Sequence, residues 1–126
     1  MYTDKVMDHF SNPRNVGQIE NPNVVVKVGD PGCGDAVLIF LKIDNDVITD
    51  VKYKVYGCGA AIATTSMAST MVKGKTLEEA LEVTDEKVAE ALGGLPDSKM
   101  HCSNLAATAI RAAVTRYQTP PEEQSA

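Results

Sequence analysis

The residues of this chain best suited to chemistry are its three cysteines, because each lies where one predicted element meets the next. They are Cys33 in the sequence Gly-Cys-Gly-Asp, Cys58 in Gly-Cys-Gly-Ala, and Cys102 in His-Cys-Ser. Sites often form in such connections, since a rigid scaffold positions the loops. An odd number of cysteines argues against a disulfide framework. The alternatives are metal ligation, thiol chemistry, or burial as small apolar side chains.

Two further side chains extend the set of metal donors. Asp35 lies two residues after Cys33, and His101 directly precedes Cys102. Thiolates select zinc, copper(I) or iron–sulfur clusters, and a permanent cluster usually has four cysteine ligands. With three cysteines, the fourth position falls to Asp35 or His101, and a hard carboxylate suits it poorly. The three cysteines, Cys58 among them, therefore predict a thiolate metal site. With a weaker fourth ligand, this site should hold metal less firmly than a ferredoxin does.

The surroundings of the cysteines favour ligand binding. The glycines beside Cys33 and Cys58 have no Cβ, so the backbone can approach a ligand and offer N–H groups to thiolate or sulfide. Cys58 and Cys102 are predicted at helix N-termini, where the partial positive charge favours the thiolate. Each feature alone also has a plain structural explanation: a tight turn, a turn aspartate at Asp35, or a capping histidine at His101. The combination favours a site.

One helix and three strands are predicted for the first half of the chain. The helix is capped by Thr3 and carries Val6, Met7 and Phe10 as its apolar stripe. The strands span residues 24–28, 35–43 and 47–56, and the sequence Asp-Asn-Asp at residues 44–46 joins the last two as a hairpin. In the third strand, one face carries Val47, Thr49, Val51, Tyr53 and Val55, and the other carries Ile48, Asp50, Lys52 and Lys54.

Helices follow after residue 59. The first spans residues 60–73 and is ended by Gly74. A capping box of Thr76 and Glu79 starts the second, and Thr84 caps the third. The last begins near Cys102 or Ser103, and its buried stripe is Leu105, Ala106, Ala109, Ile110, Ala113, Val114 and Tyr117. Strands followed by helices indicate an α+β fold. We expect a single domain over residues 1–118 and a disordered tail over residues 119–126.

Composition narrows the class of protein. The chain has 126 residues, the size of one ordinary domain, and a formal charge of −5. An acidic balance argues against a nucleic-acid-binding surface. The longest apolar run, at residues 37–41, is too short to span a membrane, and the N-terminus lacks the pattern of a secretory signal. We therefore expect a cytoplasmic protein with reduced thiols.

Residues 2–117 resemble the iron–sulfur cluster assembly scaffold proteins of the IscU type, which also form the N-terminal domain of NifU. The matching motifs are DHFSNPRNVG at residues 8–17, CGD at 33–35, YGCG at 56–59 and KMHCS at 99–103. The resemblance implies a three-stranded antiparallel sheet packed with about five helices. It also implies a scaffold rather than an enzyme, on which a labile [2Fe–2S] cluster is assembled and then transferred to apo-proteins.

The family's pattern also implies roles for individual residues. Cys33, Cys58 and Cys102 are then cluster ligands, Asp35 or His101 supplies the fourth position, and zinc can occupy the same site. The aspartate makes the cluster labile. A cysteine desulfurase of the IscS or NifS type supplies sulfur as a persulfide, for which Cys102 is the expected acceptor. Apo iron–sulfur proteins are the recipients, and the scaffold acts as a monomer or a cluster-bridged dimer.

Two departures from the family's pattern affect the expected partners. Residues 95–99 read Leu-Pro-Asp-Ser-Lys, whereas many members carry a Leu-Pro-Pro-Val-Lys segment gripped by an Hsp70-type chaperone. This change makes a dedicated chaperone partner doubtful. The sequence also lacks the further cluster-binding domains of full-length NifU, so we expect a stand-alone scaffold. His101 and its short distance from Cys58 fit the IscU type better than the zinc-dependent SufU branch.

Two other functions use the same residues. A zinc protein, structural or accepting sulfur, would take the same ligands, and structural zinc would make folding depend on the metal. A thiol enzyme would use Cys102 as nucleophile and His101 as base, although adjacent residues at a helix start rarely face each other well.

Overall fold

A three-stranded antiparallel sheet forms the centre of the protein in a computed structural model that describes residues 2–30, 35–97 and 100–118. Its strands are β1 (Val24–Asp30), β2 (Asp35–Asp44) and β3 (Val47–Tyr56), and they lie in the order β1-β2-β3. Both pairings are antiparallel. The meander predicted from the sequence is therefore confirmed, and β1 runs two residues further than the predicted strand.

Five helices lie in the described part of the chain, and with the sheet they confirm the predicted α+β class. They are α1 (Asp4–Ser11), α2 (Gly59–Val72), α3 (Leu77–Leu81), α4 (Asp85–Ala91) and α5 (Met100–Gln118). The two long helices, α2 and α5, pack against each other, α2 against β3, and α5 against β1 and β2. Residues 119–126, predicted to be a disordered tail, lie outside the described residues.

The helix boundaries follow from the capping residues. Thr3 accepts a hydrogen bond from the Val6 N–H at 3.1 Å, and its hydroxyl donates to the carbonyl of Leu92. Thr76 and Glu79 form the predicted capping box at the start of α3. Replacing such an N-cap residue by alanine typically costs about 1 kcal/mol. The predicted caps are therefore confirmed, and Thr3 also ties α1 to the end of α4.

The hairpin between β2 and β3 corrects one prediction about side-chain direction. Asn45 and Asp46 have φ angles of 51° and 61°, as a two-residue turn of type I′ requires. Lys42 pairs with Asp50 but Ile43 pairs with Ile48, so β3 carries one extra residue. This bulge reverses the alternation at the start of β3. Ile48 is therefore buried on the same side as Val51, whereas the prediction placed the two on opposite faces, and Thr49 is exposed.

Two helices bury different residues from those predicted. In α1, Val6 and His9 are buried, whereas Met7 and Phe10 are 47% and 44% exposed. α1 packs on α2, and the histidine is buried against the middle of that helix at Ser66. In α5, Tyr117 is exposed. The Arg116 guanidinium donates to the carbonyl of Val25, so the last turn of α5 has already reached the beginning of β1.

A buried polar network holds the segment after α1 against α2. His9 Nδ1 lies 2.7 Å from Ser66 Oγ, which also accepts a hydrogen bond from the Arg14 N–H at 2.9 Å. The amide of Asn15 donates to Ser69 Oγ at 2.9 Å. With the imidazole neutral, the Ser66 hydroxyl can donate to Nδ1, which satisfies both groups. The network thus gives a structural reason for the polar residues between α1 and the sheet.

The protonation state of His9 is coupled to folding. Burial lowers the pKa of His9, and the positive charge of Arg14 lowers it further. The unfolded chain therefore binds the proton more readily than the folded one, because its imidazole titrates near 6.5. Stability from this residue is fully present above that pH and is lost as the pH falls through it toward the lower folded value.

We predict that the free energy of unfolding of the chain, measured by urea denaturation with a chelator present, is lower at pH 5.5 than at pH 7.5. His9→Asn retains a hydrogen-bond acceptor near Ser66 but cannot titrate, so most of this pH dependence should disappear. His101→Asn, at the chain's other histidine, is the matched control and should retain it. Equal pH dependence in His9→Asn and the parent chain would contradict this assignment.

Candidate metal centre

Two of the predicted site residues lie at one end of the sheet, and the side chains of the other three are not among those that the structure describes. Asp35 is the first residue of β2, and Cys58 follows β3 as the N-cap of α2. His101 and Cys102 belong to the first turn of α5, but their side chains are not among those described. Cys33 lies outside the described residues. The structure therefore places two of the five predicted ligand side chains, and the assignment of the other three remains a prediction.

The register of the hairpin brings Asp35 close to Cys58. Ala36 pairs with Tyr56, so the next positions outward are Asp35 on β2 and Gly57, which directly follows β3. A Cβ atom built on Gly57 would overlap Asp35 Oδ1 and lie 3.4 Å from Asp35 Cγ. The carboxylate therefore rests against the backbone of the residue that precedes Cys58. A hard oxygen donor and a soft sulfur donor consequently lie at the same end of the sheet.

Asp35 is also closely approached from the other neighbouring strand. Gly29 of β1 has a φ angle of 89°, and a Cβ atom there would overlap the carbonyl oxygen of Asp35 and lie 3.0 Å from Ala36 Cα. Glycine is required here because of both the conformation and the lack of space. The backbone of Asp35 thus lies against one glycine and its carboxylate against another, which limits where this side chain can move.

The environment of Cys58 favours its thiolate. Cys58 is partly buried and packs against Ala60 and Ala61. It occupies the N-cap position of α2, a helix with no acidic residue in its first turn. The positive end of the helix dipole stabilises an anion at this position. The thiolate is the form that ligates metal ions and attacks sulfur, so the local structure suits both reactions.

An exposed aromatic ring covers the start of α2 next to Cys58. Carbon atoms of the Phe10 ring lie 3.2 Å from the position that a Gly59 Cβ would occupy. Phe10 and Gly59 also line an open, apolar cleft of about 270 Å³ with Tyr2, Val6 and Met7. The ring therefore covers the backbone of Gly59, the residue that follows Cys58. Periodicity alone assigned Phe10 to the core and gave no sign of this contact.

The direction of α5 carries its first turn toward the same end of the sheet. Arg116 contacts Val25 at the beginning of β1, and the helix packs on β1 and β2. Fourteen residues of α-helix from Arg116 back to Cys102 span about 21 Å, and the rest of β1 after Val25 spans about 17 Å. The two lengths match, so an α5 that runs along β1 brings the backbone of Cys102 to the Asp35 end, where a shared site requires it.

The described side chains alone do not complete a metal centre. They contain no group of three or more His, Cys, Asp or Glu side chains placed to hold an ion. Three of the five predicted ligands lie outside them, whereas Asp35 and Cys58 provide one oxygen and one sulfur donor. The chemistry of this donor pair fits a soft metal bound with a harder, weaker ligand. The fold and this pair define a small α+β protein with a cysteine and an aspartate at one end of its sheet.

Comparison with known proteins identifies the family. The family described as "NifU-like N terminal domain" matches residues 1–124. The chain is 60% identical over 117 residues to "Iron-sulfur cluster assembly scaffold protein IscU 1" of Archaeoglobus fulgidus, covering 93% of this chain and 76% of that one. It is 50% identical over 118 residues to the IscU scaffold protein of Aquifex aeolicus, covering 92% and 75%. The chain belongs to the NifU-like N-terminal domain family.

Solved structures agree on the fold. The crystal structure of the N-terminal part of a nitrogen-fixing NifU-like protein from Brucella abortus superposes with a TM-score of 0.72 at 19% sequence identity. The match covers 92% of this chain and 93% of that one. At this identity the similarity concerns the fold alone.

Within the described part of our chain, no helix combines the length and apolar character needed to cross a bilayer.

We predict that Phe10→Ala increases the rate at which iodoacetamide alkylates Cys58 several-fold, because the ring covers the backbone beside this thiol. The measurement uses a chain with Cys33→Ser and Cys102→Ser, so that Cys58 is the only thiol. Tyr117→Ala removes an exposed ring from the end of α5 and should leave the rate unchanged. An unchanged rate in Phe10→Ala would contradict the shielding role.

Proposed function

We propose that this protein is a scaffold on which an iron–sulfur cluster is assembled and from which it is transferred to other proteins. The observation that supports this most strongly is the Asp35 carboxylate resting beside the Cys58 junction. A permanent cluster site would have a fourth thiolate, whereas a carboxylate binds the cluster iron more weakly and exchanges more readily. Relatives that share half or more of the aligned sequence are named as scaffolds of this kind.

The proposed cargo is a [2Fe–2S] cluster. Its ligands are Cys33, Cys58 and Cys102, with Asp35 or His101 in the fourth position. A carboxylate and an imidazole are alternatives for this position, because Asp35 lies two residues after Cys33 and His101 directly precedes Cys102. Zinc prefers the same thiolate and imidazole donors, so it competes with iron for the site. The centre thus serves to hold a cargo, and no substrate is turned over.

Sulfur delivery requires a thiolate that can attack a persulfide. A cysteine desulfurase of the IscS or NifS type presents the sulfur as Cys–S–S⁻, and a scaffold thiolate takes the outer sulfur and releases the desulfurase thiolate. Cys102, in the first turn of α5, is the proposed acceptor because a helix N-terminus and a neighbouring imidazole favour its anion. Two electrons from a cellular reductant then convert the bound sulfur to sulfide.

The proposed partners are the desulfurase and apo iron–sulfur proteins, and the proposed compartment is the cytoplasm. The formal charge of −5 suits partners with basic surfaces and does not suit nucleic acids. Residues 95–99 read Leu-Pro-Asp-Ser-Lys and depart from the segment that an Hsp70-type chaperone grips, which argues against such a chaperone as a dedicated partner. The scaffold is proposed to act as a monomer or as a dimer bridged by the cluster.

We expect anaerobic incubation with ferrous iron, cysteine, a cysteine desulfurase and a reductant to load the chain with nearly equal amounts of iron and acid-labile sulfide. Sulfur-to-iron charge-transfer bands should appear in the visible spectrum. Cys33→Ser, Cys58→Ser and Cys102→Ser should each lose most of the bound cluster, since each removes a thiolate.

The same incubation without desulfurase is the control and should give iron without sulfide. Zinc that remains bound after the complete incubation, with no sulfide and no charge-transfer bands, would contradict the scaffold function and favour a zinc protein.

A further inference from the structure

The space occupied by the Asp35 carboxylate is formed by two small residues. A Cβ atom on Gly57 would overlap Asp35 Oδ1 and would also lie only 2.9 Å from Ala61 Cβ. Ala61 is 1% exposed and belongs to the first turn of α2. Real Cβ atoms do not approach neighbours this closely, and the overlap with Oδ1 is much the larger of the two. Any larger residue at position 57 must therefore push the carboxylate aside and also shift slightly against Ala61.

The backbone of Asp35 has little freedom to accommodate such a displacement. Gly29 of β1 lies against the Asp35 carbonyl, and β2 is hydrogen-bonded to strands on both sides. Ala61 is held as well, since both Thr64 and Thr65 donate hydrogen bonds to its carbonyl oxygen at 3.1 and 2.8 Å. The group that can yield is therefore the carboxylate, by rotation about its side-chain bonds.

We propose that Gly57 and Ala61 form a slot that positions the Asp35 carboxylate beside Cys58, so that the residue size at position 57 determines whether the carboxylate reaches the metal. Gly57 is thus a positioning residue that acts through Asp35. This inference rests on the proposed function, because it assigns a control element to the same centre. It also gives the glycine before Cys58 a role different from backbone access to a ligand.

The first test uses cobalt(II) as a spectroscopic probe of the ligands. In the parent chain, thiolate-to-cobalt charge-transfer bands report the cysteines, and the d–d bands report the complete ligand set. Gly57→Ala should shift the d–d bands in the same direction as Asp35→Ala while the charge-transfer bands persist. Gly94→Ala is the control for backbone strain. It places alanine at a positive φ angle of 108°, where its Cβ would meet nothing within 4 Å.

The second test measures the lifetime of the assembled cluster in the presence of a chelator. Asp35→Ala should lengthen it several-fold, because the labile ligand is lost, and Gly57→Ala should lengthen it as well. The double variant should match Asp35→Ala alone, since Gly57 acts only through that carboxylate. If Gly57→Ala folds poorly, Gly57→Ala with Ala61→Gly relieves the contact with Ala61 but keeps the one with Asp35, and should give the same lifetime.

Unchanged d–d bands and lifetime in Gly57→Ala would overturn the slot, as would effects of Gly57→Ala and Asp35→Ala that simply add. Failure of the proposed function gives a different result. The parent chain itself would then assemble no cluster, even where thiolate-to-cobalt bands show that the cysteines bind a metal ion.

Discussion

The register of the β2–β3 hairpin is the constraint on which the rest of the centre depends. The two-residue turn at Asn45 and Asp46 sets this register, and the antiparallel pairing carries it to the far end, where Asp35 meets Gly57. A slip of one residue would turn every β2 side chain to the opposite face and move the carboxylate away from Cys58. The bulge at the turn end absorbs an extra residue without disturbing the pairing near the site.

The helices fix the thiol side of the centre. Cys58 is the N-cap of α2, and most of the buried residues of this helix are small, so its first turn has a defined position. The His9–Ser66 contact and the Arg14 N–H hold α1 and the following segment against this helix. That arrangement places Phe10 over Gly59. A neutral buried histidine therefore supports a site that it does not touch.

Much of this structure is readable from the sequence because the relevant signals are local. Periodicity, capping residues and the Asp-Asn-Asp turn predict the strands and helices, and the hairpin by itself brings Asp35 near Cys58. What the sequence does not reveal depends on contacts between distant segments. His9 is buried against Ser66, and Ile48 turns inward at the bulge. A carboxylate fills the space at Gly57, and an aromatic ring fills the space at Gly59. Flanking glycines alone suggested room for a ligand.

The proposed centre holds a cluster in order to release it to another protein. The most direct measurement mixes the cluster-loaded chain with an apo-ferredoxin, with a chelator present to capture free iron, and follows visible circular dichroism over time. We predict that the ferredoxin spectrum appears at a rate that increases with ferredoxin concentration, while the chelator captures little iron. A cluster that stays on the chain, or one that reaches the ferredoxin only as iron and sulfide released into solution, would contradict it.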